Sequence, residues 1–125
     1  MKDESAFTLL EVIVSLGIFA IVTAGLYPAL TNHLQLNHLS AQRTGAINAA
    51  QQVLDNLRLQ NPGSMPGSGF EQSEQIIGDK VFQVTTTFCE TAAYCISANT
   101  RHIKVEVFYQ GESRFETETV YTQLK

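Results

Sequence analysis

Val12 to Leu30 read VIVSLGIFAIVTAGLYPAL, apolar or small throughout, and the run sits in a longer stretch, Val12 to Gln42, without one Lys, Arg, Asp or Glu. At 1.5 Å per residue, residues 12–30 as a helix span roughly 28 Å, close to the hydrocarbon thickness of a bilayer. The whole chain has 125 residues, 44% hydrophobic and 16% charged, with a net charge of −4. Those averages conceal a membrane segment followed by a soluble part, and the length allows one such soluble domain and no two-domain enzyme. A cytosolic globular protein does not fit this distribution.

Working outward toward the N-terminus, Phe7 to Leu10 extend the apolar run and Glu11 is the lone charge within it. A carboxylate in lipid costs on the order of several kcal/mol unless it reaches the headgroups or meets a cation. The preceding residues, MKDESA, are polar, and the charges of Met1 and Lys2 are balanced by Asp3 and Glu4. That is not the basic leading region of a secretory signal, although a signal-type cut after Ala24 would find a passable Val22-Thr23-Ala24.

The segment Ala6-Phe7-Thr8-Leu9-Leu10-Glu11-Val12 resembles the cleavage and methylation motif of type IV pilins and type II secretion pseudopilins. The resemblance implies cutting between Ala6 and Phe7 by a prepilin peptidase and methylation of the new N-terminus at Phe7. It places Glu11 at the family's assembly glutamate and Pro28 at its helix-interrupting proline. Ala6 stands where the family usually has Gly, and this leader is neutral where the family's is usually basic. A freed amine at Phe7 and the Glu11 carboxylate of a neighbouring subunit would neutralise two costly charges together and fix the stagger between the two helices.

Beyond Leu30 the helical pattern continues, with apolar or small residues at Leu36, Leu39, Ala46, Ile47, Ala50, Val53, Leu54 and Leu57 in steps of three and four. Gln35, Asn37, Gln42, Asn48, Gln52 and Asp55 mark the polar face, and Arg43 falls on or near the apolar one. Asn61-Pro62-Gly63 stops the helix, and NPGSMPGSG over 61–69 reads as a connector. Strand signals follow. Ile76-Ile77 and Val81 to Val84 flank a turn at Gly78-Asp79; Ile103, Val105, Val107 and Tyr109 alternate with Lys104 and Glu106; Gln110-Gly111 turns the chain into Arg114 to Gln123. The expected fold is α+β, a long N-terminal helix packed against an antiparallel sheet of three or four strands. Its parts are a leader at 1–6, a helix over 7–60 that spans the membrane over about 7–30, and a β head over 61–125.

Cys89 and Cys95, the only cysteines, predict a disulfide if the head lies outside the cytoplasm. Closing so short a loop contributes about 2 kcal/mol in the chain-entropy picture. A metal held by the two thiols and His102 is the weaker alternative. His33 and His38 are five apart and fall on different helix faces. No nucleophile elbow, phosphate loop or zinc-protease motif occurs, so neither an enzyme nor a cofactor is expected.

The predicted function is that of a minor pilin-like subunit, anchored once in the inner membrane with its head outside the cytoplasm. It would leave the lipid bilayer through an inner-membrane assembly platform and join other pilin subunits in, or prime, a type IV pilus that serves adhesion, twitching or DNA uptake. The runner-up is a minor pseudopilin of a type II secretion system. A DNA-binding uptake subunit is a further alternative, resting on a local patch of Arg101, Lys104 and Arg114. Seven Lys and Arg against nine Asp and Glu after Gln42 give that alternative no cationic footprint.

Overall fold

The computed structural model describes residues 7–123. The leader expected at 1–6, with Ala6 at the expected cut, lies outside them. The chain forms two units, Met1–Leu39 and Ser40–Lys125, and helix α1, Leu9–Arg58, contributes to both. The second unit adds a four-stranded sheet in the order β1-β2-β3-β4, made of Phe70–Ile77, Lys80–Phe88, Thr100–Tyr109 and Glu112–Thr122. Every neighbouring pair is antiparallel. The α+β arrangement is therefore the one the sequence predicts.

The turns follow from residue chemistry. Gly78 takes φ 65° at the first position of the two-residue β1–β2 turn, where a glycine avoids the Cβ clash. Gln110 and Gly111 both have positive φ, 54° and 81°, the backbone that a tight β3–β4 hairpin requires. In β4 the pairing shifts between Val107 and Phe108, which leaves Arg114 as the extra residue of a bulge. The first strand is longer than Ile76-Ile77 suggested. Its N-terminal part, FEQSE, is exposed throughout, so it carries no apolar alternation by which a sequence reader could find it.

The core lies between one face of the sheet and the part of α1 after Ser40. Phe82, Val84, Phe88, Ile103, Val105 and Val107 are buried there with Ala46, Ala49, Ala50, Val53 and Leu57 of the helix. The helical stripe is rotated slightly from the expected one: Gln42 and Gly45 are buried, Ile47 and Leu54 are half-buried, and Arg43 is exposed. Small residues decide this choice. A Cβ on Gly45 would lie 2.6 Å from the tip of the Phe82 ring, so the missing side chain is what lets the ring reach the helix. Phe82 in turn packs against Tyr109, ring centres 5.1 Å apart. The connector is also more than a link. Met65 within it is buried in the core, and Asn61 caps a short turn at Pro62–Ser64 by accepting the Gly63 N–H at 2.9 Å.

Two polar ties cross the unit. Tyr121 donates its hydroxyl to the Leu54 carbonyl at 2.9 Å, and Lys104 bridges Glu90 and Glu116, both at 3.3 Å. Burial raises the Tyr121 phenol above its ordinary 10.0. The hydrogen bond that Lys104 donates to Glu116, then the one it donates to Glu90, raises its ammonium above 10.5.

Gly45→Ala should lower the thermal midpoint of the full chain in detergent micelles. Helix propensity alone favours Ala by about 1 kcal/mol, but overpacking a buried ring costs about 1–3 kcal/mol. Adding Phe82→Leu should recover part of the loss, and a raised midpoint for Gly45→Ala alone would contradict the close approach. The alkaline limb follows from linkage. Both groups bind their protons more tightly when folded, so their stabilisation is complete below 10.0 and 10.5 and is lost as pH rises through the raised values. Unfolding midpoints should fall in that window, and less steeply for Tyr121→Phe; equal slopes would contradict the assignment.

Candidate assembly site on the N-terminal helix

Thr8 opens α1. The Glu11 N–H donates to the Thr8 carbonyl at 3.0 Å and to its hydroxyl at 3.3 Å, a hydroxyl cap of the kind that starts helices. Glu11 then sits in the first turn, where the helix dipole favours a negative charge. It is the only charged side chain from Phe7 to Gln42, so no Lys or Arg lies within helical reach. Among the described residues it makes no ion pair.

Around Glu11 the helix surface is apolar and uncovered in the isolated chain. Phe7 is 75% exposed and Ile21 equally so, and the large side chains from Leu9 to Leu39 are all exposed. Its hydroxyls are satisfied within the helix. Ser15 donates to the Glu11 carbonyl at 2.7 Å, Thr23 to Phe19 and Ala20, and Thr31 to Tyr27 and Pro28. Such back-bonding satisfies these three hydroxyls without water, in lipid or in a dry bundle. Among the described residues α1 is the one helix long and apolar enough to cross a membrane.

In the isolated chain α1 runs through Pro28 unbroken, as the single helix expected over 7–60 requires; the break that the family resemblance implies concerns the assembled filament. Proline removes one N–H, the donor to the Ala24 carbonyl, and crowds that turn. The flanking turns hold, and the Thr31 hydroxyl donates to the Pro28 carbonyl at 3.0 Å. One missing bond bends or weakens a long helix without ending it.

On the head, Cys89 and Cys95 form a disulfide. It grips the peptide of His102: the His102 N–H donates to Cys95 Sγ at 3.2 Å, and the Cys89 N–H donates to the His102 carbonyl at 2.8 Å. The loop carries Tyr94 over the imidazole, ring centres 5.7 Å apart, and leaves His102 only 2% exposed. Its Nε2 lies 3.3 Å from Glu118 Oε2. Sequence reasoning missed this burial, since His102 shares its strand face with Lys104 and Glu106 and reads as solvated. The thiols are bonded to each other, and no group of three or more His, Cys, Asp or Glu suited to a metal occurs among the described residues. His33 and His38 are both exposed.

The three cations of the suggested patch are not presented together. Arg101 and Lys104 are three apart on β3 and so face opposite sides of the sheet. Arg101 donates to the carbonyls of Met65, Ser97 and Thr100, Lys104 is held by its two glutamates, and Arg114 pairs with Glu112 at 2.6 Å. Each is already bound to acceptors of the head.

Residues 1–27 match the prokaryotic N-terminal methylation motif. The chain is also 35% identical, over 92 residues, to the type II secretion system protein I of Pseudomonas aeruginosa, covering 74% of this chain and 70% of that protein. No solved structure matches it. With the methylation motif leading an apolar helix, an antiparallel β head behind it, and a relative aligned over most of both chains, the protein belongs to the type IV pilin and type II secretion pseudopilin family.

Proposed function

We propose that this chain is a minor pseudopilin of a type II secretion system. The observation that carries the reading is the extent of the alignment. The methylation motif ends at residue 27 and is common to pilins and pseudopilins, whereas the 92 aligned residues must reach into the head, where subunits of different machines diverge. This favours the runner-up of the sequence reading over a pilus subunit.

In this account a prepilin peptidase cuts between Ala6 and Phe7 and methylates Phe7, leaving a cationic amine at the membrane edge. The subunit waits in the inner membrane with α1 in lipid and the disulfide-bonded head outside the cytoplasm. Transfer to the filament exchanges lipid for the apolar helices of neighbours, so burial alone is nearly neutral and charge decides the register. The Phe7 amine of one subunit meets Glu11 of the next, and a misplaced subunit leaves both charges unpaired, at a cost of about 3–5 kcal/mol. Pro28 supplies the weakest backbone turn, where α1 can lose helical order once neighbours crowd it. The head serves as a contact module; Arg101, Lys104 and Arg114 are bound to its own acceptors, which speaks against this patch holding DNA.

Deleting the gene separates the machines. Loss of type II protein export, with surface pili, twitching and DNA uptake intact, is the expected outcome; intact export with lost pili or twitching would overturn the pseudopilin assignment.

A further inference from the structure

We infer that the free edge of β1 is a homodimerisation surface, on which a second copy of this chain adds its own β1 antiparallel about a two-fold axis at Ser73. β1 is one edge of the sheet, eight residues long and paired with β2 in unbroken register. Edge strands are ordinarily guarded by charged side chains, above all Lys, or by Pro, a bulge or a covering segment. The charges of β1 are two glutamates, Glu71 and Glu74. The strand FEQSEQII has no Lys or Pro, no bulge, and exposure along most of its length. The opposite edge strand, β4, is bulged at Arg114.

The backbone limits which pairings are possible. The Gly69 carbonyl accepts the Phe88 N–H at 2.9 Å, so by strict alternation the peptide groups of Glu71, Ser73, Gln75 and Ile77 point toward β2. Those of Phe70, Gln72, Glu74 and Ile76 point to the open edge. A two-fold antiparallel pair must set outward residues against outward residues, which leaves three central registers. Centred on Gln72, Phe70 lands against Glu74. Centred on Glu74, two identical carboxylates meet head-on.

Centred on Ser73, every pair is complementary. Phe70 meets Ile76 and Gln72 meets Glu74 on the face away from α1, while Glu71 meets Gln75 on the other. Each carboxylate finds an amide donor, and no like charges are opposed. Phe70 and Ile76, 66% and 70% exposed in the isolated chain, cover one another at both ends. The segment Phe70-Glu71-Gln72-Ser73-Glu74-Gln75-Ile76 is thus a chemical palindrome, which is what an isologous contact requires. Such a contact closes on itself and yields an eight-stranded sheet. Filament growth needs a contact that repeats head to tail, so the pair is a state of the chain distinct from its filament packing, whichever machine it serves.

The register gives a test on the full chain in native membranes or detergent micelles. Ser73 faces its own counterpart as a non-hydrogen-bonded pair with Cα atoms about 4.5 Å apart, within disulfide reach. The native cysteines are already joined to each other. Under mild oxidation Ser73→Cys should convert the chain to twice its mass on a non-reducing gel. Glu71→Cys alone should not, because its counterpart lies about 14 Å along the strand, while Glu71→Cys with Gln75→Cys should. Adding Gln72→Glu to Ser73→Cys sets carboxylates against each other and should abolish the product. No dimer with Ser73→Cys overturns the proposal. Equal dimer with Glu71→Cys alone, or a product insensitive to Gln72→Glu, means unspecific encounter or another register and overturns it too.

Discussion

In the proposed account a single carboxylate, set in an otherwise uncharged run of helix, decides where the chain docks. From Phe7 to Gln42 only Glu11 carries a charge, and the apolar side chains around it are exposed in the isolated chain. Lipid and the helices of other subunits are almost equally good surroundings for that surface. The hydrophobic effect therefore keeps the helix out of water without choosing its neighbours. In the proposed assembly an ion pair supplies the missing choice, because a charge excluded from water tolerates only the geometry that compensates it. The hydroxyls of Ser15, Thr23 and Thr31 are turned back onto their own helix, and Glu11 is the one Asp, Glu, Lys or Arg between Phe7 and Gln42.

The head answers a different constraint. It has few residues with which to build a core, and it closes that core by letting a sheet approach a helix lined with Gly45, Ala46, Ala49 and Ala50. Phe82 fills the space those small residues leave. The opposite face of the sheet is covered only in part, by the disulfide loop that lays Tyr94 over His102. Covalent closure holds in place a loop that has little apolar area with which to hold itself. The outer edge, β1, is left bare, and its sequence reads the same chemically in both directions.

Much of this was legible in the residues alone. The uncharged run, the Glu11 position and the stop at Asn61-Pro62-Gly63 gave the helix; strict alternation gave β2, β3 and β4; the cysteine pair gave the disulfide. The failures share one cause. A pattern reader infers burial from apolar content, and the structure buries or exposes residues for other reasons. Gln42 and Gly45 are covered because the sheet lies over them, while Arg43 beside them turns outward. His102 is covered by a loop whose path no periodicity encodes. Met65 reaches the core from a segment that looked like a spacer. β1 has no alternation because little of it rests on the core. The choice between machines rested on the head, whose strand patterns report a sheet without saying which assembly it serves.

The most direct measurement compares Glu11→Val with the parent chain, following how much of each leaves the membrane fraction for sheared filaments or for complexes with partner subunits. Because Val is at home in lipid, the variant should be inserted and processed like the parent yet remain in the membrane. Normal transfer of Glu11→Val out of the bilayer would contradict the account, since the register would then be set without the carboxylate.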